Sequence, residues 1–112
     1  MRLMVPYPPS ANVYWRVTRQ GRIYVSPEAK AYRARVRWLA MGARLRPLTG
    51  PVSLSLAVYR PRRAGDLSNR IKVLEDALQG VAYADDSQVV ELHAVRLDDA
   101  ADPRVEVTVE AA

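Results

Sequence analysis

Apolar and polar positions change period several times along this chain, and each change marks an element. Arg2 to Tyr7 reads as a first strand, after which Pro8 and Pro9, lacking backbone donors, hold an extended connection. Tyr14 to Thr18 and Arg22 to Val25 predict a small hairpin that turns at Gln20-Gly21 and carries arginines at its tip. Ser26-Pro27-Glu28 starts a helix with a capping hydroxyl, a proline at the first helical position and an acid in the first turn. Tyr32, Val36, Leu39, Ala40 and Ala43 mark its buried face, with Lys30, Arg33, Arg37 and Arg44 largely off it, until Pro47 and Gly50 end the element. Val52, Leu54, Leu56 and Val58 then alternate with Ser53, Ser55, Ala57 and Tyr59, the period of a half-buried strand.

A second helix follows Asp66, a good N-cap. Leu67, Ile71, Leu74 and Leu78 recur at spacings of four, three and four, and Gly80 supplies the stop. At about 100° per residue these side chains form one stripe, and Ser68, Asn69 and Lys72 lie on a flank facing away from it. Gln88 to Leu97 and Arg104 to Glu110 read as strands, with Asp98 to Pro103 turning between them. There is no internal repeat, linker or low-complexity tract. The expected fold class is α+β: one small domain over residues 1–112, a mixed β-sheet with two helices.

At 112 residues and 49% hydrophobic content, the chain is long enough for one core and too short for two ordinary domains. It has no cysteine, no basic and apolar leader, and no apolar run near the length that crosses a bilayer, so a soluble, cytoplasmic protein without membrane contact is expected. Charge divides by position. Met1 to Gly50 carries ten Lys and Arg against the single acid Glu28, a balance of +9, whereas Pro51 to Ala112 carries seven against eleven acids, a balance of −4. A basic half suits phosphate contact and an acidic half can hold a metal, although arginine also serves as a general solvated surface residue.

The stretch Gly65-Asp66-Leu67-Ser68-Asn69-Arg70-Ile71-Lys72, followed by Tyr83-Ala84-Asp85-Asp86-Ser87-Gln88, brackets the second helix with carboxylates and places a lysine on it. If the chain after Gly80 turns back along the helix, Asp85 and Asp86 come near Asp66, and acids so gathered need a cation. A hard divalent ion such as magnesium, held by a few carboxylates and waters, meets that need. Each residue also has a plainer reading: Asp66 as a helix cap, Lys72 as a solvated lysine, Asp85-Asp86 as a turn. Glu75 reads as surface, and Asp76 as structural with a ligand role in reserve. His93, the only histidine, has no partner of ligand spacing and reads as structural or surface. On the hairpin, Tyr14, Trp15 and Tyr24 interleave with Arg16, Arg19 and Arg22, an arrangement that stacks on bases and neutralises phosphates or, alternatively, simply packs.

The order Asp-Leu-x-Asn-x-x-Lys, then Asp-Ala-Leu, then Asp-Asp-x-Gln-Val-Val resembles the RusA family of Holliday junction resolvases. The opening Pro8-Pro9-Ser10-Ala11-Asn12-Val13-Tyr14 is similar to that family's N-terminal signature, and the likeness runs over nearly the whole chain. The resemblance implies a RusA-like fold, with magnesium-binding catalytic aspartates at Asp66 and Asp86, a catalytic lysine at Lys72 and the motif asparagine at Asn69. It places Ser68 where the family often carries a third carboxylate.

The function implied by this resemblance is that of a magnesium-dependent endodeoxyribonuclease, with manganese as a possible substitute, that resolves four-way DNA junctions by paired nicks in recombination and repair. Asp66 and Asp86 hold the metal, Ser68 contributes through a bound water, and Lys72 stabilises charge. Asn12, Tyr14, Arg16, Arg22, Asn69 and Arg70 are expected at the DNA, and two-fold substrate symmetry implies a homodimer. The family's frequent home on phages and prophages belongs to the same implication. Two rivals differ in class: a branched-DNA-binding protein of the same fold weakened at Ser68, and a small RNA-binding module that would prefer single-stranded RNA.

Overall fold

A computed structural model describes residues 1–64 and 66–112; Gly65, the first residue of the acidic motif, lies outside the described residues. The elements run β1 (Arg2–Pro6), α1 (Ala11–Tyr14), β2 (Trp15–Val17), β3 (Ile23–Val25), α2 (Pro27–Gly42), β4 (Val52–Arg60), α3 (Leu67–Leu78), a 3₁₀ turn (Asp86–Gln88), β5 (Val89–Asp98) and β6 (Arg104–Ala111). Four strands form one mixed sheet in the order β1-β6-β4-β5, and β2 and β3 form a separate two-stranded hairpin. The expected α+β class holds, with α1 as a third, single-turn helix.

The alternation in β4 is borne out residue by residue. Val52, Leu54, Leu56 and Val58 are all buried and meet the inward Val105, Val107 and Val109 of antiparallel β6. Helices α2 and α3 cover this face through Ala29, Tyr32, Val36 and Ala40 of the first and Val73, Leu74, Ala77 and Leu78 of the second. On α3 the predicted stripe is shifted: Leu67 and Ile71 are only partly buried, because Val73 and Ala77 carry the inner contact. On α2, Ala43 is exposed, since Arg44 adopts a positive φ of 56° and the helix has already closed.

Strand β5 lies parallel to β4, with Leu54 opposite Leu92 and Leu56 opposite Ala94. A parallel pair needs a crossover, and α3 with the segment after it supplies one. The edge position of β5 leaves Val90, Leu92, Val95 and Leu97 exposed. Among the described residues no helix is long and apolar enough to cross a membrane.

Candidate active site

Two motif segments are pinned to α3 by polar contacts. Asn69 Oδ1 accepts the Ala11 backbone N–H at 2.7 Å, while Arg70 Nη1 donates to the Pro8 carbonyl at 3.1 Å and its guanidinium lies 4.9 Å from the centre of the Tyr7 ring. The two side chains therefore seat the Pro8–Ala11 segment upon the helix. Ser10 caps α1 by accepting from Val13 N–H, so the signature segment ends in one helical turn and delivers Trp15 and the hairpin beside α3. This is the local reason for the serine of the signature.

The later acids are fixed by the turn after α3. Gly80, at φ 80°, reverses the chain, and buried Tyr83 reaches back so that its hydroxyl donates to the Glu75 carbonyl at 2.8 Å. Gln88 Oε1 accepts from Ala84 N–H and Asp85 N–H, and its Nε2 donates to the carbonyls of Leu48 and Gly50. Asp85 Oδ1 accepts from Ser87 N–H, completing a capping box. Asp85 is thus occupied by its own turn, and Asp86 is left to face α3.

A cleft of about 580 Å³ opens there. One wall is Ala11, Trp15 and Ile23; the other is Lys72, Glu75, Asp76 and Asp86. Burial first, and then the charge of Asp86, raise the Glu75 carboxyl above its ordinary pKa, with Lys72 pulling the other way. Asp86 is raised chiefly by its hydrogen bond with Asp85, and further by the charges of Asp85 and Asp76; the bond from Ser87 N–H in turn lowers Asp85. Asp76 is already committed: its Oδ2 accepts from the Tyr14 hydroxyl and from Arg33, at 2.9 Å from Nε and 2.5 Å from Nη2. The reserve ligand is a structural acid, in agreement with its plainer reading.

Asp66 caps α3, its Oδ1 accepting from Ser68 N–H at 3.2 Å and from the Ser68 hydroxyl at 3.0 Å. It lines a shallow depression with Arg60, Arg70 and Arg96. Among the described residues no group of three or more acids or histidines stands close enough to cage a metal. The donors on offer are hard carboxylate oxygens, which fit magnesium held by one or two carboxylates, water and a substrate phosphate.

The expected DNA contacts divide. Asn12, Arg16 and Arg22 are exposed. Tyr14 is a correction: it is wholly buried, its ring 4.6 Å from that of Trp15 and its hydroxyl spent on Asp76, and burial with that acceptor raises its pKa. Asn69 and Arg70 spend polar atoms on the backbone contacts above. Sequence reasoning missed Glu75, read as surface; its spacing of three from Lys72 and seven from Ser68 was the signal that puts all three on one flank. The pairing of Arg33 with Asp76, 43 residues apart, had no sequence signal.

Fold and cleft together define a small α+β domain that presents acids and a lysine beneath a basic hairpin. The chain matches the family described as Endodeoxyribonuclease RusA over residues 6–110, and it belongs to that family. It is 37% identical over 110 residues to the crossover junction endodeoxyribonuclease RusA of Escherichia coli K12 and 36% identical to those of Enterobacteria phage 82 and Shigella sonnei. Each alignment covers 96% of this chain and 91% of the relative.

Proposed function

We propose that this protein, as one domain over residues 1–112, is a magnesium-dependent endodeoxyribonuclease that resolves four-way DNA junctions, acting in the cytoplasm in recombination and repair. The observation that carries the reading is the cleft in which Lys72 and Asp86 meet beside the hairpin, in a family whose named relatives are crossover junction endodeoxyribonucleases. Asp86 holds the ion in the cleft and Asp66 serves it from the head of α3; manganese substitutes. Bound there, magnesium supplies Lewis-acid polarisation of the scissile phosphate. Lys72, exposed on the same wall, places a fixed cation against the charge that develops on the phosphoryl oxygens. Asn12, Arg16 and Arg22 meet the DNA backbone, and Trp15 and Ile23 line the wall that the strand passes.

A homodimer matches the two-fold symmetry of the substrate. Its support in the molecule is the uncovered β5 edge, where Val90, Leu92, Val95 and Leu97 are exposed beside unpaired backbone groups.

The test is cleavage of a synthetic four-way junction with magnesium, with manganese and with chelator. Cutting is expected only with metal, and Asp66→Asn and Asp86→Asn should each abolish it while junction binding persists, because the basic surface is unchanged. Undiminished cutting by either variant would sink the assignment.

A further inference from the structure

We propose that Glu75 supplies the second carboxylate in the cleft, taking over in this chain the metal-binding duty for which Ser68 has no charge. The inference rests on the resolvase reading above and concerns which residue holds its ion.

The sequence leaves a gap at Ser68, whose hydroxyl donates to Asp66 and brings no negative charge. Of the remaining acids near the cleft, two are spent. Asp76 is bound by Arg33 and Tyr14, and Asp85 caps its own turn. Glu75 differs: among the described residues its carboxylate makes no hydrogen bond or ion pair, yet it lines the cleft opposite Trp15 together with Asp86 and Lys72. Helix geometry points it the right way. Ser68, Lys72 and Glu75 succeed one another at four and three residues on one flank, and helical side chains lean toward the N-terminus, so Glu75 extends back along the wall toward Lys72. Tyr83 fastens the Glu75 carbonyl, which fixes the helix at that residue and leaves the side chain unencumbered. With Asp66 serving from the head of α3, Glu75 and Asp86 leave the rest of a magnesium shell to water and a substrate phosphate.

The experiment is Mn²⁺ titration by calorimetry on the full chain and on Glu75→Gln, Ser68→Asp and the double variant, with junction cleavage measured in parallel. Because only side-chain charge changes, and the Tyr83 contact is to backbone, the variants should melt as folded proteins. Glu75→Gln should weaken Mn²⁺ binding by roughly tenfold or more, and adding Ser68→Asp should recover part of that loss. Glu75→Gln binding Mn²⁺ as tightly as the unaltered chain overturns the proposal, and if the unaltered chain still cuts junctions the resolvase reading stands without it. Conversely, Mn²⁺ binding that depends on Glu75 in a chain that cuts no junction keeps this site and removes the resolvase reading.

Discussion

Glu75 and Asp76 are neighbours on α3 and face the same cleft, yet they have opposite employments. Asp76 sits inside a closed interlock in which Tyr14 of α1, Arg33 of α2 and the carboxylate of α3 satisfy one another. Glu75 stands one residue back, with Lys72 as a nearby cation and Asp86 as a nearby acid. The difference teaches that an acid's role is set by what its side of the helix meets. Where a buried tyrosine and an arginine converge, the carboxylate holds the fold; where the neighbours are a second carboxylate and a lysine, it stays at the wall of the cleft.

Breaking the interlock should have the largest effect on stability. Asp76→Ala removes the acceptor of a buried phenol and the partner of Arg33. Both ionic side chains are partly exposed, 36% for Arg33 and 24% for Asp76, so less is lost than for a fully buried pair. A cost of about 2–3 kcal/mol is expected, a melting temperature lower by roughly 10 °C. Asp86→Asn, exposed on its turn, should leave the melt almost unchanged. Equal melts for the two variants would erase the distinction between the regions.

A second contrast separates arginines in the same way. Arg33 is tied to Asp76, whereas Arg16 and Arg22 stand exposed on the hairpin. Junction affinity should fall steeply with salt, and Arg22→Ala should reduce the slope of log affinity against log salt by about 1, with little change in stability. Arg33→Ala should do the reverse, lowering the melting point through Asp76 and Tyr14. A salt-independent affinity would remove the hairpin from the DNA.

Much of this was legible from local pattern. The capped start of α2, the hairpin and the Asp66 cap are set by contacts within a few residues, and β4 is marked by its own alternation, so each lies where the local pattern put it. The family motifs could be read directly because their residues stand in order along the chain. What the sequence hid was long-range. Tyr14 stands among arginines in a basic segment and reads as a DNA contact, and only the arrival of Asp76, 62 residues away, turns it inward. The conditional approach of Asp86 to Asp66 likewise depended on where the turn after Gly80 lands, and it lands beside Glu75. Periodicity assigns a face to a residue, but not the partner that face will find.

The smallest expected effect is a reversal of sign in stability at Glu75. Burial and the Asp86 charge raise its folded pKa above the ordinary value of about 4.3 that the unfolded chain shows. The ionised form is therefore disfavoured by folding: the group favours the fold below the unfolded value, and that contribution is lost as pH rises through the folded one. At neutral pH and without metal, Glu75→Gln should then melt slightly above the unaltered chain, and the advantage should shrink as pH falls toward about 4. If magnesium binds the native state alone, it should raise the melting point of the unaltered chain more than that of the variant and invert their order. Asp76→Asn, whose acid is already paired, should show no such inversion. Thermal melts of the three proteins with chelator and with magnesium decide the matter, and a Glu75→Gln chain that is the less stable one without metal would place Glu75 with Asp76 among the acids that hold the fold.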